Sequence, residues 1–191
     1  MKRLLFILLA LLWCTPVNAG MLMGSVAGGA AACSYPQKGV YATGADLDYP
    51  LSYNFVAGSF TTTSAYTVVR IGVTLIQVGT APNVQITAYL YDNSSDQPST
   101  LLGTSTDTIS ATTVSLSRTE YYWNFAGIAL SNTTKYHIVL TKAYTDASNA
   151  IKWTMNDGGA TAEEYNRATT LPTWTTVDTS ISPYFSTYSC D

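Results

Sequence analysis

The feature that most constrains this chain is a two-residue alternation of apolar and polar side chains, repeated in short segments from about residue 51 to residue 188. Val69, Ile71, Val73 and Leu75 alternate with Arg70, Gly72 and Thr74. Val84, Ile86, Ala88 and Leu90 alternate with Gln85, Thr87, Tyr89 and Tyr91. The same rhythm places Tyr121, Trp123 and Phe125 against Glu120, Tyr122 and Asn124. It places Tyr136, Ile138 and Leu140 against Lys135, His137 and Thr141, and Ile151, Trp153 and Met155 against Lys152 and Thr154. Leu51, Tyr53 and Phe55 open the series, and a last strand is expected near Tyr184 to Tyr188. Successive side chains of a strand point to opposite faces, so this period reads as half-buried β-strands. Turn-forming clusters separate them: Gly79 to Asn83, Asp92 to Ser99, Leu130 to Thr133, and Asn156 to Gly159. No heptad pattern or long amphipathic helix interrupts the series. The expected fold is all-β: a single antiparallel two-sheet β-sandwich, jelly-roll-like.

Composition narrows the function classes. Only 11% of the 191 residues are charged, whereas 47% are hydrophobic and 12% aromatic, which is unlike a disordered tail. The pI near 4.9 excludes a nucleic-acid partner, because phosphate recognition needs a Lys/Arg surface. With 29 Thr and 18 Ser, the polar surface consists largely of hydroxyls.

The N-terminus reads as an export signal. Lys2 and Arg3 precede the uninterrupted apolar run Leu4 to Trp13, and Val17 and Ala19 occupy the small-residue positions of a cleavage site. Ten apolar residues are short for a bilayer core of about 30 Å, so residues 1–19 are expected to be a signal peptide and the secreted, extracellular chain to keep no stable membrane span. Cleavage after Ala19 leaves 172 residues and, by removing Lys2 and Arg3, takes the formal charge from −3 to −5. Residues 20–32, rich in Gly and Ala and without charge, are expected to be an arm, and residues 33–191 one β-sandwich domain.

Export leaves two cysteines, Cys33 and Cys190, at opposite ends of that domain. In an oxidising compartment such a pair is expected to form a disulfide, and closing a loop of this size is worth about 4–5 kcal/mol in loop-entropy models. A metal pair would lack the two further ligands at close spacing.

The order Ala88-Tyr89-Leu90-Tyr91-Asp92, Gln97-Pro98, Leu101-Leu102-Gly103, Trp123-Asn124-Phe125, Leu130 to Leu140 and Trp153 resembles the choice-of-anchor R type domain and related secreted bacterial or phage-associated jelly-roll modules. The resemblance spans about Phe55 to Trp153 and implies a non-catalytic extracellular module. Members often end in a cell-surface sorting segment. This sequence ends Tyr188-Ser189-Cys190-Asp191 without an apolar tail, so covalent anchoring is not expected.

Little in the sequence points to catalysis. His137 is the only histidine, it sits mid-strand, and no Gly-x-Ser-x-Gly turn accompanies it. The carboxylate pairs Asp46/Asp48, Asp92/Asp96 and Glu163/Glu164 read as solvated turn charges rather than glycosidase pairs. Asp92-Asn93-Ser94-Ser95-Asp96-Gln97 offers many oxygens in one turn, so Asp92 and Asp96 are the candidate Ca2+ ligands, beside the reading of an Asx-rich turn. Trp123 and Trp153 fall in phase with apolar neighbours and are expected in the core. Trp174 stands among threonines, and Tyr89, Tyr91 and Tyr122 fall on polar phases, so these four are the expected contact surface. The functional expectation is a secreted, non-enzymatic module that binds a glycan or a cell-surface component. The alternatives are an extracellular structural subunit that self-associates through the 20–32 arm, and, third, a secreted hydrolase.

Overall fold

The computed structural model describes residues 33–39, 46–156, 165–179 and 181–190. The expected signal peptide, its cleavage point, the 20–32 arm and Glu163/Glu164 lie outside the described residues. The strands are Cys33–Gly39 (β1), Asp46–Pro50 (β2), Phe55–Thr61 (β3), Tyr66–Val78 (β4), Gln85–Ile86 (β5), Ala88–Ser94 (β6), Gln97–Thr104 (β7) and Ile109–Ser110 (β8). They continue with Thr119–Leu130 (β9), Lys135–Thr141 (β10), Tyr144–Asp146 (β11), Asn149–Asn156 (β12), Tyr165–Thr170 (β13), Thr173–Asp178 (β14), Ser182–Pro183 (β15) and Phe185–Cys190 (β16).

The protein is an all-β sandwich. One sheet has eight strands, in the order β1-β16-β4-β12-β11 with β9 on the far side of β4 and β2 and β15 on β12. The other has six, in the order β14-β13-β3-β10-β6-β7, and β5 and β8 form a short ribbon. Every strand pairing among the described residues is antiparallel. The chain crosses repeatedly between sheets, from β3 to β4, from β9 to β10 and from β12 to β13. No helix among the described residues is long and apolar enough to cross a membrane.

The core between the sheets follows the alternation. Ile71, Val73 and Leu75 of β4, Trp123 of β9 and Ile151 and Trp153 of β12 are fully buried there. Both indole N–H groups find carbonyls: Trp123 Nε1 donates to Ile86 O (3.0 Å) and Trp153 Nε1 to Tyr184 O (3.3 Å). Such pairing is what lets a tryptophan be buried without a desolvation penalty.

Three local expectations are corrected. The inward phase of β4 does not run back to Val69, because the β4–β9 register shifts between Val68 and Arg70, and Val68 is the buried residue. A bulge adds one residue and reverses the phase beyond it. The strand expected over Leu51 to Phe55 instead starts at Phe55, and β3 is buried on both faces. The turn expected over Asp92 to Ser99 contracts to Ser95 and Asp96, with φ of 52° and 61°. Two successive positive-φ residues make the tight turn that joins β6 directly to β7.

Candidate functional site

The four residues expected to form one contact surface lie on two different faces. Tyr91 and Trp174 are each only 7% exposed, which corrects their assignment as contact residues. The cause is a second core on the side of the six-stranded sheet that faces away from the sandwich interior. Ala57 of β3, Val139 of β10, Tyr91 of β6 and Ala168 of β13 share that side, and the β13–β14 hairpin brings Trp174 onto it. The Tyr91 and Trp174 rings meet edge to face, with centroids 6.3 Å apart. The two edges of the sheet approach each other here: β14 lies against β7, and Gln97 Nε2 donates to Thr176 Oγ1 (3.4 Å). Tyr89 is half-buried against the same cluster and its ring packs on Phe55.

His137 is fully buried on this covered side, opposite Ser59 on β3 and Tyr91 on β6. Its Nε2 lies 2.9 Å from Asn93 Oδ1. Burial pushes its pKa down to about 3, the Lys135 charge adds to that shift, and Asp96 and Asp92 oppose it. The imidazole is therefore neutral in the core.

The candidate calcium turn divides its oxygens among separate partners. Asp92 Oδ1 accepts from the Thr100 backbone N–H, Asp96 Oδ1 pairs with Lys135 Nζ at 3.0 Å, and Asn93 turns inward to His137. Among the described residues no group of three or more His, Cys, Asp or Glu side chains is placed to hold a metal ion. Asp48 forms a fork with Arg118, at 3.2 Å to Nε and 3.1 Å to Nη2, and accepts from Thr154 Oγ1.

Tyr122 is different: it is 41% exposed, on the solvent side of the eight-stranded sheet. Around it β16, β4 and β9 lie side by side, with Ser186 opposite Gly72 and Gly72 opposite Tyr122. One step along, Tyr188 faces Arg70 and Arg70 faces Asn124. The Tyr122 and Tyr188 rings meet edge to face at 5.7 Å. The Arg70 guanidinium stands over both, 6.0 Å from the Tyr122 centroid and 5.7 Å from that of Tyr188. Arg70 Nε donates to Asn124 Oδ1 (3.0 Å), and Asn124 is itself held by Asp107 through its backbone N–H (2.8 Å) and its Nδ2 (2.6 Å).

Glu120 fixes the tyrosine. Tyr122 Oη donates to Glu120 Oε2 (2.8 Å), and Ser186 Oγ donates to Glu120 Oε1. This bridge crosses directly over Gly72, where a Cβ would collide with Ser186 Oγ and the Glu120 carboxylate. A bare backbone leaves room for the bridge, which any side chain at this position would displace.

The chain matches no family model and no curated protein.

The platform thus combines an exposed aromatic ring, a guanidinium whose terminal nitrogens have no hydrogen-bond partner among the described residues, and a carboxamide locked in one orientation. Chemically it can stack on an apolar ring face while donating to oxygens at the rim of that ring. Sequence reasoning singled out Tyr122 but missed Arg70, Tyr188, Glu120 and Asn124. Arg70, Glu120 and Asn124 share the polar phase of their strands with Tyr122, and this was the available signal. Their convergence depends on β9 and β16 both pairing with β4, and β16 lies more than a hundred residues from β4 in the sequence.

Proposed function

We propose that the protein is an exported, non-enzymatic β-sandwich module that binds a glycan of a cell-surface or extracellular partner through the Tyr122 platform. The observation that carries this reading is the exposed Tyr122 ring, held by Glu120 and flanked by the Arg70 guanidinium. A pyranose offers an apolar C–H face to the ring and hydroxyls to Arg70 and Asn124. The choice-of-anchor R type relationship belongs to the same proposal. The non-enzymatic part is supported by the position of His137, whose ring is buried, neutral and engaged with Asn93. The assembly reading depended on the 20–32 arm, which lies outside the described residues.

The test is a glycan array probed with wild type and with Tyr122→Ala. Wild type should bind a defined subset of glycans, and the variant should lose about tenfold or more in affinity while its melting transition stays in place. Equal binding by both proteins would end the platform reading.

Export is supported by the register of β1 on β16, which sets Cys33 directly opposite Cys190. Residues opposite each other in an antiparallel pair have Cα atoms about 4.5–5.5 Å apart, within the span a disulfide needs. Alkylation of the exported protein without reductant should find no free thiol at either position, and two labelled thiols would contradict the pairing.

A further inference from the structure

A second polar site lies on the six-stranded sheet, at the turn end of the β13–β14 hairpin. It is a pocket of about 350 Å³ lined by Tyr53, Arg167, Ala168, Thr169, Thr170, Thr173 and Thr175. The hairpin turns through Leu171 and Pro172 and is tied back to the sheet where Asn54 Nδ2 donates to Thr169 O (2.6 Å). Arg167 faces Thr175 directly across the hairpin. Thr173 and Thr175 are two residues apart on one strand, so their side chains leave it on the same side.

Arg167 gives the pocket its chemistry. Its guanidinium carbon lies 4.3 Å from the Tyr53 ring centroid, in cation–π contact. This contact needs no hydrogen bond, so the guanidinium N–H groups remain donors. No carboxylate among the described residues pairs with it: the ion pairs found are Arg118 with Asp48 and Lys135 with Asp96. Among the described residues, this half-buried arginine has no acid partner and sits in a recess lined by threonine hydroxyls. Packing against the ring restricts the side chain, so less freedom remains to be lost when an anion docks.

We infer that this pocket is a binding subsite for the carboxylate of a small hydroxylated acid, with a sugar acid as the fitting ligand class. The Arg167 fork would take the carboxylate in a two-point hydrogen-bonded pair, and the threonine hydroxyls would pair with ligand hydroxyls. One guanidinium neutralises one charge, and the negative net charge of the chain opposes a dianion, so a monoanionic carboxylate fits better than a phosphate ester. The inference does not rest on the Tyr122 platform, which lies on the other sheet.

The test is a titration followed by amide NMR shifts, with glucuronate, glucose and glucose 6-phosphate as probes. Glucuronate should shift amides of residues 167–175, and glucose should bind at least tenfold more weakly. Arg167→Gln should lose at least tenfold in glucuronate affinity, and added salt should weaken binding by wild type. Thr175→Val, which keeps the arginine and the shape, should weaken glucuronate by a smaller factor and covers the case in which Arg167→Gln fails to fold. The inference is overturned if glucuronate leaves residues 167–175 unshifted, if glucose binds as tightly, if glucose 6-phosphate binds more tightly, or if folded Arg167→Gln binds as wild type does. Tyr122→Ala should leave the glucuronate-induced shifts of residues 167–175 unchanged. Loss of those shifts in that variant would place the acid on the platform and overturn the pocket while leaving the platform reading intact.

Discussion

The two sheets present the same sequence pattern on their outer sides and use it in opposite ways. On the eight-stranded sheet the outward residues Arg70, Tyr122 and Asn124 form a platform, with the Tyr122 ring reaching solvent. On the six-stranded sheet the outward residues Ser59, Tyr91 and His137 are buried, because the β13–β14 hairpin carries Trp174 over them. An outward tyrosine is thus a ligand-facing ring on one sheet and a core side chain on the other. Alternation fixes which side of a strand a residue occupies. It carries no information on whether a later segment covers that side.

The contrast is sharpest in stability. Trp174→Ala should cost about 3–5 kcal/mol in denaturant unfolding, the range for removing a large buried aromatic. Trp174→Phe should recover much of that loss, since the indole N–H is buried without a hydrogen-bond partner among the described residues and phenylalanine removes it. A loss below about 1 kcal/mol for Trp174→Ala would mean that the hairpin does not cover the sheet.

The covered side should also make stability depend on pH. The folded-state pKa of His137, about 3, lies below the unfolded value of 6.5, so between these values the unfolded chain binds the extra proton. The contribution is therefore complete above pH 6.5 and is lost on acidification toward pH 3, by up to about 1.4 kcal/mol per pH unit. His137→Gln should flatten unfolding free energy against pH across that window. An unchanged slope in the variant would show that the imidazole is hydrated rather than enclosed.

Smaller effects belong to the open side. Gly72→Ala should cost about 1–3 kcal/mol by forcing Ser186 and Glu120 apart, and it should weaken ligand binding as well because Tyr122 loses its anchor. Tyr122→Ala should change stability by less than about 1 kcal/mol, as expected of an exposed side chain.

Much of the fold was legible because strand period and core phase are local properties. Trp123 and Trp153 were placed correctly by their immediate neighbours. The β6–β7 turn was legible as a turn but not in its tightness, since Ser95 and Asp96 adopt positive φ without the Asn-Gly or Asp-Gly signal that usually marks such turns. Trp174 misled because the threonines around it point away while its own ring packs on Tyr91, a contact across strands distant in sequence. The candidate site was legible in one residue. Tyr122 stood on the right phase, but its partners come from β4, β9 and β16, and no local pattern encodes that pairing.

The most direct measurement of the central contrast is radical or nitration footprinting of the folded protein, read residue by residue in mass spectra. The account predicts rapid modification of Tyr122, with Tyr91 and Trp174 protected until the protein unfolds. Equal labelling of Tyr91, Trp174 and Tyr122 in the native state would contradict it, and would show that the outer side of the six-stranded sheet is as open as that of the eight-stranded one.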